Sequence, residues 1–146
     1  MSAMSNYLEG KLIDQIFRGQ AAPTTSTLYI GLFNSAAPGE ANTSGTEITI
    51  NGTTNYVRAS VASSTANWAS TTQIANGSGQ TSNSGSITFQ TPGVGGWGLV
   101  VAFGVYDGPT PGTSNLLFYG NLTIQKTINE GDTVSFPAGT LQVAFN

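Results

Sequence analysis

The chain has 146 residues, 38% hydrophobic, 10% aromatic and only 8% charged, with no cysteine, no histidine and a formal charge of -3. That length supports one domain, residues 1–146, whose core needs neither metal nor disulfide, while the charged fraction falls far below the roughly 25% usual in soluble domains. No basic patch is available for nucleic acid, and the missing Cys and His exclude thiol nucleophiles, disulfide frameworks, ordinary zinc sites and His-based triads.

Ser, Thr, Asn and Gly together contribute 66 residues. Hydroxyls and amides, rather than charges, keep this surface wet. No basic region followed by an apolar core opens the chain, and no apolar run approaches the roughly 20 residues of a bilayer span. Neither a signal peptide nor a membrane segment is expected.

Residues 6–18, within "SNYLEGKLIDQIFRG", carry the one helical pattern. Asn6 is placed to cap the first turn, with Glu9 completing a capping box. Leu8, Leu12 and Ile16 recur at i+4 spacing, and Ile13 and Phe17 widen the apolar side. Lys11, Asp14, Gln15 and Arg18 fall opposite, and Gly19 stands at the left-handed C-terminal position. A helix of about three turns is marginal alone. It must pack either on the domain's own sheet or on a neighbouring subunit, so Leu8, Leu12, Ile16 and Phe17 are interface candidates.

Strand patterns follow. "TLYIGLF" at 27–33 ends in the "APGE" turn, residues 47–50 suggest a short strand, and "NYVRASV" at 55–61 alternates between two faces. Positions 34–53 and 62–84 are small and polar and read as mobile surface loops, the second with room for one irregular strand. "GSITF" at 85–89 precedes "WGLVVAFGVY" at 97–106, whose glycines permit a bulge or close approach. "DGPTPG" turns the chain into "NLLFYGNLTI" at 115–124, the clearest hairpin. "INEGDTVSF" and "LQVAF" supply the last strands. Seven or eight short strands after one helix predict a mostly β fold. The expected form is an antiparallel β-sandwich of jelly-roll or Greek-key kind, with a partly closed barrel as the alternative.

No reactive constellation emerges. Glu130 and Asp132 share a "NEGD" turn, where a solvated turn explains them better than a glycosidase pair. No twelve-residue calcium loop is present, and "GVGGWG" at 93–98 lacks the Lys-Ser/Thr ending of a phosphate loop. Ser and Thr are plentiful but have no His or Cys beside them to activate a nucleophile. No catalytic residue, cofactor or metal is assigned, and the chain is not expected to be an enzyme.

Two residues stand out. Arg58 is the only basic residue between Arg18 and Lys126 and lies within a predicted strand. Its partner is a carboxylate such as Glu47, Asp107 or Glu130, or a backbone carbonyl at a subunit boundary, which makes it an interface candidate. Trp68 lies in the polar excursion and is assigned to contact with a partner or a second loop. The other large aromatics sit in strand segments and read as core.

The stretches at 5–19, 27–33, 55–61, "ITF" at 87–89, 97–107, "NLLFYGNLTIQKTINEGDTVSFPAG" at 115–139 and "LQVAF" resemble, in this order, a family of small tailed-bacteriophage virion structural proteins. Members are loosely labelled tail fibre or minor structural proteins, and related small phage proteins decorate or cement capsids. None of these stretches is a functional motif. The resemblance implies a virion protein made in the host cytoplasm, with the head surface favoured over the tail. The leading expectation is a capsid decoration or cement protein that bridges capsid subunits as a homo-oligomer, trimers being common. Its partners would be the major capsid protein or tail proteins of the same virion. A tail fibre or baseplate component in host attachment is the alternative, and a carbohydrate-binding module is a further one. Many weak neutral contacts become strong when a shell links them, and they are little affected by salt.

Overall fold

The computed structural model describes residues 2–73 and 79–145. Its elements in chain order are β1 (Ser2–Met4), α1 (Asn6–Arg18), β2 (Thr27–Phe33), β3 (Ala59–Ala62), β4 (Thr72–Gln73) and β5 (Gly79–Ser82). They continue with β6 (Ile87–Thr88), β7 (Gly98–Tyr106), β8 (Leu116–Ile128), β9 (Ser135–Phe136) and β10 (Gln142–Ala144).

The helix has the expected bounds, but its cap lies one residue earlier. Ser5 is extended at φ -85° and ψ 156°, and its Oγ accepts the Leu8 amide at 3.2 Å. The same hydroxyl donates to the Leu116 carbonyl, which fastens the helix start to β8. Asn6 is therefore the first helical residue, and Glu9 is a first-turn acid favourable at the helix's positive end rather than half of a capping box. Gly19 is left-handed at φ 65°, and the Gly19 and Gln20 amides both return to the Asp14 carbonyl.

All strand pairs are antiparallel. The large sheet has the order β1-β8-β7-β2-β3, and two small sheets have the orders β10-β5-β4 and β6-β9. The fold is thus mostly antiparallel sheet with one N-terminal helix. One wide sheet and two narrow ones replace the two comparable sheets of the expected sandwich.

Alternation along β2 sends Ile30 and Leu32 to one face and Tyr29 and Phe33 to the other. The first face joins Phe103, Val105, Ile87, Phe89, Trp97 and Leu141 in the main core. The second joins Val101, Ala102, Tyr106 and Leu116 in a smaller cluster. On β7 this division requires a change of phase, because Val100 shares the main core with Phe103 and Val105. The register supplies it. Val100 pairs with Lys126 and Ala102 with Asn121, so residues 122–125 of β8 stand against Val101 alone. This wide bulge turns Leu122 toward the main core and leaves Ile124 81% exposed.

Four expected segments differ. Residues 47–50 make a single bridge, Glu47 to Phe33, rather than a strand. Regular pairing in 55–61 begins only at Ala59, because Asn55 is left-handed at φ 58° and breaks the extension. The 62–84 excursion is no plain loop: it holds β4, β5 and a Trp68–Asn83 bridge, and residues 74–78 lie outside the described part. Segment 34–53 is likewise tied down. The Asn34 amide donates to the Thr46 carbonyl, its side chain donates to the Trp97 and Leu99 carbonyls, and Ile48 is buried.

Candidate functional site

Arg58 comes from the extended run before β3 and points inward, its side chain only 2% exposed. Nε donates to Glu47 Oε1 at 2.8 Å and Nη2 to Oε2 at 2.7 Å, a bidentate pair. Nη1 donates to the Gly108 carbonyl at 2.9 Å, and the guanidinium lies 3.5 Å from the centroid of the Tyr106 ring. Tyr56 donates from its hydroxyl to Glu47 Oε1 and accepts the Leu32 amide at 2.8 Å. Burial, with the Glu47 carboxylate adding to it, pushes both the Tyr56 and Tyr106 phenols well above their ordinary range.

This cluster ties the 47–58 segment, the sheet and the β7–β8 turn together. Of the partners proposed for Arg58, Glu47 is the one it meets, along with a backbone carbonyl of its own chain. Its charge is spent inside the fold, so it presents no group to a subunit boundary. The cluster holds structure.

Two other acids, Asp107 and Asp132, build turns. Asp107 accepts the Asn115 amide at 2.7 Å and its side-chain amide at 2.8 Å, closing the β7–β8 hairpin. Asp132 accepts the Asn129 amide at 2.9 Å, as expected for a solvated turn. No group of three possible metal-ligating side chains occurs among the described residues.

The helix candidates separate by position. Leu8 is buried and Leu12 half-buried, where α1 runs beside β8. Beyond them Ile13, Ile16 and Phe17 are 57%, 71% and 80% exposed. The apolar stripe therefore serves the domain at its N-terminal half and stands unpaired at its C-terminal half. Ile16 and Phe17 are available for contact, whereas Leu8 is spent on the fold. Ile13, counted in the stripe but not as a contact candidate, belongs with the exposed pair.

Trp68 meets a second segment of its own chain. It bridges to Asn83, packs against the main core, and lines a groove between the large sheet and the β5–β10 pair. Its indole Nε1 is buried with no hydrogen-bond partner among the described residues.

Asn83 was not legible as special. It is buried, and its side chain donates to the Gly85, Phe136 and Pro137 carbonyls and accepts the Leu141 amide. It pins β5 to the β9–β10 turn. It stands in a run of small polar residues with no periodic signal, so only its burial reveals it.

Compared with known proteins, residues 3–144 match the profile of a family described as Podophage GP4 fiber I protein gp80. No curated protein matches the chain.

Proposed function

The chain belongs to the podophage GP4 fiber I protein gp80 family, and on that premise we propose that it is a building block of the tail-fibre apparatus, acting in attachment of the particle to its host. It is a bacteriophage structural protein. The capsid-decoration reading favoured from the sequence yields to its alternative, because the matched family is described as a fibre. That match, running over residues 3–144, is the observation that carries the proposal.

The physical features support it. The chain has no coiled-coil heptads and no extended repeat, so it fits a compact unit set on or beside a shaft rather than a length of shaft. Its partners are copies of itself and other tail proteins of the same virion, with a trimer as the natural closed assembly. Ile13, Ile16 and Phe17 supply the apolar contact such packing needs.

Attachment is tested by blocking it. Antibody raised against the purified chain should abolish adsorption of particles to host cells. Undiminished adsorption at saturating antibody would count against a role in attachment.

A further inference from the structure

The groove beside Trp68 holds about 680 Å³, within the roughly 300–1,000 Å³ of small-molecule sites. Its floor is apolar, with Leu28, Trp68 and Phe118, and its walls are hydroxylated, with Ser64, Ser70 and Thr81 among them. No charged residue lines it. Thr81 donates to the Ala69 carbonyl and Ser64 accepts from Asn67, so the rim is itself braced. The Ser70 hydroxyl is exposed and has no hydrogen-bond partner among the described residues.

We infer that this groove binds a short, uncharged saccharide. The inference rests on the attachment reading and gives it a ligand class. The chemistry of the lining selects among occupants. A phosphate, nucleotide or acidic peptide would meet no cation here and would lose its hydration without compensation. A wholly apolar peptide face would bury the Ser70 hydroxyl unpaired, at a cost of about 1–3 kcal/mol. A sugar ring matches both surfaces at once: its C–H face lies on aromatic and aliphatic side chains while its hydroxyls exchange hydrogen bonds with Ser and Thr. Individual contacts of this sort are weak, and several copies on one particle raise the avidity without new contacts.

The test uses the full chain with a panel of uncharged di- to tetrasaccharides and their sialylated or phosphorylated counterparts, read by saturation-transfer NMR and titration calorimetry. Transfer from at least one uncharged oligosaccharide is expected, with binding at least tenfold weaker in Trp68→Ala, which removes the ring from the groove lining. Ser70→Val, on the exposed rim, should weaken it as well while leaving the circular dichroism spectrum unchanged. Absence of binding by every uncharged sugar, preference for the anionic ones, or binding indifferent to both substitutions would each overturn the inference. None of these results would move the protein from the tail, so the location of the chain is tested separately.

Discussion

Gly31 stands directly opposite Gly104 across β2 and β7, and the space that two side chains would fill is taken by Glu47 and Tyr106. A Cβ on Gly31 would lie 2.6 Å from Glu47 Oε1, and one on Gly104 would lie 2.8 Å from Tyr106 Cε2. Neither glycine has a positive φ, so both are needed for room and not for backbone freedom. The paired gap seats the Arg58–Glu47 pair and the ring beneath it against the sheet.

Gly104→Ala and Gly31→Ala should each destabilise the fold by about 1–3 kcal/mol through overpacking. Urea unfolding measures this directly. Gly10→Ala, in an exposed helical turn with nothing within 4 Å of the added carbon, is the control and should be neutral or stabilising.

Removing the cation alone should cost more. Arg58→Met leaves the Glu47 carboxylate buried without its partner, a loss of about 3–5 kcal/mol. Pairing that change with Glu47→Gln removes the stranded charge and should recover part of the loss. The recovery in a double-mutant cycle, rather than the single-variant values, reports the coupling. Additivity of the two changes would contradict the geometry.

Alkaline pH should loosen the same cluster. Tyr56 and Tyr106 are held neutral, their folded pKa values raised above the ordinary value of about 10. Their contribution to stability is therefore complete below pH ~10 and is lost as pH climbs from there toward the folded values. Ultraviolet titration should show these two tyrosines ionising only as the protein unfolds. Tyr56→Phe and Tyr106→Phe should each reduce the late amplitude. Ionisation of either one near pH ~10 in the still-folded protein would contradict this burial.

The far half of α1 should matter for assembly and not for folding. Ile16→Ser combined with Phe17→Ser removes two side chains that are 71% and 80% exposed. The monomer's unfolding free energy should stay within about 0.5 kcal/mol per site, while the mass in analytical ultracentrifugation falls to that of one chain. Unchanged assembly would remove α1 as the contact.

Local pattern and long-range contact divided the legibility of this fold. The helix bounds, Gly19, β2 and the β7–β8 hairpin follow from periodicity and turn residues within a few positions, and all were readable. Asn34, Glu47 and Ile48 took their place through contacts made elsewhere in the chain, so 34–53 read as a loop with a short strand at 47–50. The bulge at 122–125 is a property of strand register and shows only once β7 is beside β8. Arg58 was conspicuous by its isolation, but three carboxylates were equally plausible by sequence, and burial chose Glu47. For the helix, periodicity showed an apolar stripe without showing where the domain stops covering it. Asn83 and the groove beside Trp68 are products of packing with no local signature.

The most direct measurement is the position of the chain in an intact particle. Gold-labelled antibody against the protein, viewed by electron microscopy on purified virions, should mark the tail end and leave the head bare. Label spread over the capsid, with none at the tail, would contradict a tail-fibre building block and restore the decoration role.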